Sequence, residues 1–358
     1  MPKNLPKNLS FNWQIIFKIN NMNHSVEFNQ QQYRQEKTQN LHNILKKYYD
    51  DFIEFIWIQE GSRRRITLQI DHQNKIGFFK HKSHDLIEID EYLLADNKIS
   101  QLLPIIKEFV KTQEQNLFLQ IIITLFDNGL DIVFVSKRSI NYSQKQQILN
   151  FAKLNNCNLS IKINHDIEPI YLPKINQIFI DNLHLDVTSD IFLQATKSGL
   201  DSIINFIKKN ISPSQNIIDI YSGCGIYSFA IHNLVKKIDC FEGSKSMVDL
   251  INLNAKKLQL TQKIKGFERD LFFAPLSSLE LKKYHLAIIN PPRNGALPQI
   301  EQLAKSNINK IIYVSCNPVS FSRDIKILIE SYFKLTKIIA IDQFYTTNHL
   351  ELVAIFSR

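Results

Sequence analysis

A thiol, two arginines and a choice of two bases carry the chemistry open to this chain. Cys316 ends the apolar run of IIYVSCNPVSFSRD, residues 311–324. A cysteine in an apolar strand is ordinarily inert packing. Here Ser315, Asn317 and Pro318 surround it, and these residue types break a strand at the edge where α/β sheets bind ligands. Arg293 and Arg323 lie in motifs that converge on that edge. A neighbouring cation lowers a thiol pKa and populates the reactive thiolate, so an activated cysteine is expected at 316. A base is the natural companion. The stretch DQFYTTNHLELVAIF, 342–356, offers His349 and Glu351, two positions apart, and the residues alone leave the choice open.

A second group of residues points to a nucleoside. DIYSGCG, 219–225, places two of the chain's nine glycines within three positions, at a turn where a ligand approaches the backbone. It is neither GxGxxG nor a Walker loop with its lysine, which argues against a phosphate cradle. Glu242, ending the next strand, can accept both hydroxyls of a ribose. Together the two favour an adenosyl cofactor. In NPPRNG, 290–295, Pro291 and Pro292 fix the backbone behind Asn290, making a rigid loop.

The elements that position these groups follow from periodicity. From about residue 185, short apolar runs (NIIDIYSG, KIDCFEG, LAIINPP, KIIYVSCNP, LTKIIAIDQF) alternate with helical stretches, predicting a parallel sheet with helices on both faces. The final LELVAIFSR follows too closely for a crossover and must pair antiparallel. Before residue 185, strand-like patches such as RRRITLQI, IIITLF and LDIVFVS mix with helical stretches at 31–52 and 99–111 without regular alternation. Two domains are therefore expected: an α+β region, 1–184, and an α/β domain, 185–358.

Bulk properties narrow the class. The net charge of +9 and pI near 9.1 favour a polyanionic partner. There is no signal-peptide pattern and no apolar run near the ~20 residues of a membrane helix, so the expectation is a cytoplasmic protein off the membrane. Four cysteines, at 157, 224, 240 and 316, form no CxxC clip. Neither disulfides nor a metal site is expected.

FLQATKSG (192–199), DIYSGCG, FEGSKSMVDLINLNAKKL, NPPRNG, VSCNPVSFSRD and DQFYTTNHLELVAIF together resemble the RNA uracil-5-methyltransferase family, in the family's order over about 183–358. YRQEKTQNL, SRRRITLQI, NKIGFFKHKSHDLIEID and ISQLLPIIKEF extend the likeness faintly forward. The resemblance implies a Rossmann-like class I S-adenosylmethionine-dependent methyltransferase domain. Its sheet would be mostly parallel and seven-stranded, with the last strand antiparallel, behind an N-terminal α+β RNA-binding module. It implies methylation of C5 of a uridine in RNA, with Cys316 as nucleophile and Glu351 as general base. Gln194, Tyr221, Glu242 and Asn290 match the positions that contact the methyl donor.

Three departures bear on those implications. Asn290 stands where relatives usually carry Asp, losing a charge. No cysteine precedes Cys157, and Tyr92 replaces a cysteine of the iron–sulfur site of many ribosomal members, so no cluster is expected. No separate β-barrel RNA-binding domain is expected ahead of the first family-like helix either. RNA contact then falls to the front module, with Arg63, Arg64, Arg65, Lys80 and Lys82 as candidates for phosphates. The ending NHLELVAIF and the phrase FSRDIKIL resemble the ribosomal-RNA members more than the tRNA members and so favour 23S rRNA, with tRNA as the alternative and a monomer as the expected state. Two rivals remain. One is an amino-methyltransferase using NPP, though Arg293 replaces the base-stacking aromatic and no cysteine would be needed. The other is a non-catalytic RNA-binding relative.

Overall fold

The computed structural model describes residues 17–18, 29–80, 83–213, 215–345, 347 and 349–358. In chain order, β1 (Phe17–Lys18) is followed by α1 (Gln30–Leu45), β2 (Glu54–Trp57), β3 (Arg65–Ile70), β4 (Ile76–Phe79), β5 (Leu86–Glu88), β6 (Glu91–Tyr92), α2 (Asn97–Lys111), β7 (Phe118–Phe126) and β8 (Gly129–Ser136). Next come α3 (Tyr142–Leu154), β9 (Asn158–Ile163), β10 (Asp166–Tyr171), β11 (Asn176–Ile180), β12 (Leu183–Val187), α4 (Lys197–Lys209), β13 (Asn216–Ile220), α5 (Ile226–Ile231), β14 (Lys237–Glu242) and α6 (Lys245–Lys257). The chain closes with β15 (Ile264–Glu268), β16 (Leu286–Ile289), α7 (Leu297–Ala304), β17 (Lys310–Ser315), α8 (Pro318–Glu330), β18 (Lys334–Asp342) and β19 (Glu351–Ser357).

The catalytic sheet runs β15-β14-β13-β16-β17-β19-β18-β2. Its first five strands are mutually parallel, and β19 lies antiparallel between β17 and β18. This is the mostly parallel arrangement with an antiparallel last strand that the alternation of elements requires. Side chains alternate between faces with period two. Ile217, Leu286, Ile288, Ile312 and Val353 pack toward α4, α5 and α6. Ile218, Ile220, Ala287, Ile289 and Tyr313 pack toward α1, α7 and α8.

The division at residue 184 does not coincide with the sheets. A cut there falls inside β12, which pairs with β11 and packs on the catalytic helices through Leu185 and Val187. At the front, α1 buries Leu41 and Leu45 in the catalytic core, and β2 adds an eighth strand, parallel to β18. Lys37 secures this helix by an ion pair with Asp342 at 2.6 Å, both side chains buried. The change of texture near 185 marks where strand–helix alternation begins, not where the chain enters the catalytic layer. Helix α1 also stops at Leu45 rather than running to 52.

The front module is a seven-stranded sheet, β10-β9-β8-β7-β3-β4-β5, backed by α2 and α3. It is antiparallel except for β8 and β9, which α3 connects in parallel. Whether a separate domain precedes α1 concerns residues 1–28, of which only 17–18 are described. Among the described residues no helix is long and apolar enough to cross a membrane.

Candidate active site

The carboxyl ends of the catalytic strands surround a cavity of about 570 Å³, and its wall includes Gln194, Tyr221, Glu242, Asn290, Arg293, Cys316 and Glu351. The pairing of β17 with β19 explains how its thiol and carboxylate meet. Ser315 is registered with Leu352, so one more step of the antiparallel ladder brings Cys316 opposite Glu351. Asn317 then caps α8, accepting from the Val319 amide at 3.1 Å while its Nδ2 donates to the Arg293 carbonyl at 3.0 Å. One side chain thus ends the strand, starts the helix and ties the NPPRNG loop to the cysteine.

Behind that loop, Asp324 Oδ2 accepts from the Ala296 amide at 2.7 Å and from Tyr313 Oη at 2.8 Å. A Cβ on Gly295, which has φ +79°, would come within 2.5 Å of that carboxylate. Arg323 pairs with Asp324 at 2.6 Å and donates to the Asn294 carbonyl, so it braces the loop and does not line the cavity. Arg293 alone of the two arginines reaches the thiol.

The expected thiolate does not form in the resting site. Burial pushes the Cys316 thiol above its ordinary value, Glu351 adds to the rise, and the hydrogen-bonded Arg293 offsets only part of it. The cation beside the sulfur is outweighed by the desolvation that comes with a strand end inside a cavity. Cys316 is therefore a protonated thiol until something further favours its anion.

Glu351 is more strongly affected. Only 1% exposed, its carboxyl is pushed up to about 8 by burial, against hydrogen bonds from Gln343 and Gln194 that favour the anion. Gln343 Nε2 donates to Glu351 Oε2 at 3.1 Å and to Gln194 Oε1 at 2.5 Å, and Gln194 Nε2 donates to Tyr227 Oη at 3.2 Å. Gly199 makes room for this chain of amides, because a Cβ there would stand 2.6 Å from Gln343 Oε1. His349 lies outside the cavity wall, 3.5 Å from Arg293 and edge-on to Phe344. Of the two candidate bases, the cavity holds Glu351. His349 lies in the loop before β19, so strand parity, which would put two residues two positions apart on one side, does not extend to it.

A raised carboxyl costs stability when it ionises. Its protonated form favours the fold below about pH 4.5, and that contribution is lost as pH rises towards 8. Glu351→Gln is therefore expected to raise the melting temperature relative to wild type more at pH 8 than at pH 5. The corresponding difference in unfolding free energy should be on the order of a few kcal/mol, measurable by thermal unfolding at the two pH values. Equal shifts would mean the carboxyl is already ionised at pH 5.

The side of the cavity expected to take a nucleoside is built on the turn after β13. Tyr221, Gly223 and Gly225 all adopt left-handed φ, at +59°, +54° and +79°. A Cβ on Gly223 would meet nothing within 4 Å, which leaves the backbone open to a ligand. Glu242 Oε2 accepts from the Gly223 amide at 3.0 Å and Oε1 from the Ser244 amide at 2.9 Å, so each oxygen keeps a free lone pair. Tyr221 Oη is buried without a partner among the described residues. The wall also includes Asp270 and Phe272, unnoticed in the sequence because β15, which delivers them, reads as the short IKGFE with a glycine at its centre. The Tyr221 and Phe272 rings lie 5.4 Å apart. Among the described residues no cluster of His, Cys, Asp and Glu is placed to hold a metal.

The basic candidates of the front module separate by strand parity. Arg64 lies on the buried face with Ile66 and Leu68, 3% exposed, and its Nε donates to the Gln194 carbonyl at 3.2 Å. It supports the cavity wall from behind and is not available to a phosphate. Arg63 and Arg65 are half-buried on the other face. Lys80 is exposed, 3.6 Å from Asp85, and Lys82 lies outside the described residues. Tyr92 is buried and accepts from Arg63 at 2.9 Å.

This chain is similar to known methyltransferases in both sequence and fold. An uncharacterized RNA methyltransferase of Mesorhizobium japonicum is 26% identical over 343 residues, covering 92% of this chain and 80% of its own. The 23S rRNA (uracil(1939)-C(5))-methyltransferase RlmD of Shewanella piezotolerans is 26% identical over 309 residues, covering 82% and 68%. The structure of the Pyrococcus abyssi tRNA (uracil-54, C5)-methyltransferase in complex with S-adenosyl-L-homocysteine superposes with a TM-score of 0.75 at 21% identity, covering 92% of this chain and 84% of that one. The family model described as tRNA (Uracil-5-)-methyltransferase matches residues 29–358, and the chain belongs to that family.

Proposed function

We propose that this protein methylates C5 of an unpaired uridine in RNA through a transient bond between Cys316 and C6. The carrying observation is the meeting of Cys316 and Glu351 in one cavity with the open backbone of Gly223 and the free lone pairs of Glu242. That second half suits S-adenosylmethionine, with Glu242 toward the ribose and Gln194, Tyr221 and Asn290 around the donor. Bound there, the donor would supply an electrophilic methyl group. Asn290 extends the sheet through its amide, which donates to the Ile220 carbonyl at 3.1 Å, and offers the ligand an uncharged amide side chain.

Uracil C5 is too weak a nucleophile to take a methyl group unaided. The Cys316 thiol gives up its proton to solvent, the thiolate sulfur adds to C6, and the displaced C5–C6 π pair moves toward C5 and O4 as an enolate. C5 then bonds the methyl carbon, and the electron pair of the S–C bond broken in the transfer stays on the donor sulfur, which leaves as a neutral thioether. Glu351 takes the proton from C5, the pair returns to form the C5–C6 double bond, and sulfur leaves C6. Arg293, hydrogen-bonded to the sulfur, stabilises the anion on attack and departure. A base within a duplex cannot present both carbons, so the uridine is read from a loop or flipped out.

Among RNAs, 23S rRNA is favoured by NHLELVAIF and FSRDIKIL, while the tRNA reading is supported by the similarity to the Pyrococcus abyssi fold. Mass spectrometry of 5-methyluridine in separated rRNA and tRNA, from cells with and without this gene, tests the function and chooses the target. Loss from the 23S pool is expected; unchanged 5-methyluridine in both pools overturns the assignment.

A further inference from the structure

Beside the catalytic cavity lies a second one of about 320 Å³, whose wall includes Arg63, Arg65, Phe78, Tyr92, Phe192 and Phe344. Phe192 belongs to both walls, so the two cavities are neighbours. Its ring is 68% exposed, although it sits two residues from the buried Gln194. The volume is at the small end of the range of about 300–1,000 Å³ for ligand pockets, room for a single nucleotide and none for a duplex.

The lining is not that of a packing gap. The Arg63 guanidinium lies 5.9 Å from the Phe344 ring centre and donates to Tyr92 Oη. Arg65 spends one N–H on the Ile191 carbonyl. Among the described residues neither arginine is within 4 Å of a carboxylate, although Asp131 and Asp190 act on Arg65 from farther away. Two guanidinium groups beside several aromatic rings form the combination that binds an unstacked base and its phosphate.

We propose that this second cavity holds the nucleotide next to the target uridine in the RNA chain. Its base stacks on Phe344 and Phe192, and its phosphate lies on Arg63 and Arg65. The inference rests on the methyl-transfer reading above. A uridine flipped into the first cavity draws its neighbour out of the stack, and the shared Phe192 places a receptor for that neighbour immediately alongside.

The test uses the full chain and total RNA from cells lacking the gene. With Phe344→p-benzoylphenylalanine, illumination is expected to cross-link RNA within two nucleotides of the uridine that the wild-type protein methylates, as mapped by reverse transcription. Phe344→Leu, which keeps apolar bulk but removes the ring face, is expected to raise the RNA KM about fivefold or more. Its kcat, donor Kd and melting temperature should stay near wild type. Normal 5-methyluridine formation with a remote cross-link, or with an unchanged KM in Phe344→Leu, overturns this inference alone. Absence of 5-methyluridine with the wild-type protein overturns the methyl-transfer reading and this inference with it.

Discussion

Cys316→Ala is expected to abolish the covalent complex that the wild-type protein forms with 5-fluorouridine-substituted RNA in the presence of the methyl donor. Methylation of ordinary RNA should fall by on the order of 10⁴-fold or more, the scale of loss when a nucleophile is removed. The fluorine makes the trap. In the proposed reaction Glu351 takes a proton from C5, but fluorine cannot leave as a cation, so sulfur would stay bonded to C6. Donor binding should be unchanged, because the turn at 221–225 and Glu242 do not depend on the thiol. The same variant separates the rival readings. An amino-methyltransferase working through Asn290-Pro291-Pro292 needs no cysteine, and full activity in Cys316→Ala would favour it. A non-catalytic RNA-binding relative would give no adduct even in the wild-type protein under conditions where donor and RNA both bind.

The residues that meet in the cavity were legible because they sit at interruptions. Cys316, Asn290 and Gly223 each mark the end of an apolar run, and an alternating strand–helix pattern commits such ends to one edge of a sheet. Glu351 was legible as the start of the final antiparallel strand, although the choice over His349 needed the register that sets it opposite Cys316. Gln343 was not legible. A glutamine in a loop says nothing about the two partners 149 and 8 positions away that its amide bridges.

Arg64 misled for a similar reason. Three adjacent arginines read as a basic patch, yet strand parity turns the middle one inward, where it supports Gln194. The 30–57 segment reads as part of the front because nothing local announces that β2 pairs with β18, a contact across nearly three hundred residues. Fold class is carried by short-range periodicity, whereas sheet membership at the edges and second-layer hydrogen bonds are set by long-range packing that a single sequence does not display.

Glu351→Gln is expected to stall the reaction after methyl transfer and before release. With unmodified RNA the variant should accumulate a covalent adduct at Cys316 carrying the added methyl group, detectable as a protein band shifted by RNA under denaturing conditions. Its kcat should fall about 10²- to 10⁴-fold, the range contributed by a general base. Glutamine keeps the size of the side chain and the contact with Gln343 but cannot accept a proton, so the early steps survive.

The pH dependence follows from the same group. A base must be ionised to act, and a carboxyl held at about 8 is only about one-tenth ionised at pH 7. Wild-type turnover should therefore rise with pH through about 8, and the residual turnover of Glu351→Gln should lack that rise. Gln343→Leu removes a hydrogen bond that favours the carboxylate, so it should move the inflection to higher pH. If Glu351→Gln turns over at the wild-type rate without accumulating adduct, the proton leaves C5 by another route. His349, held against Arg293 at the rim, would then be the group to test.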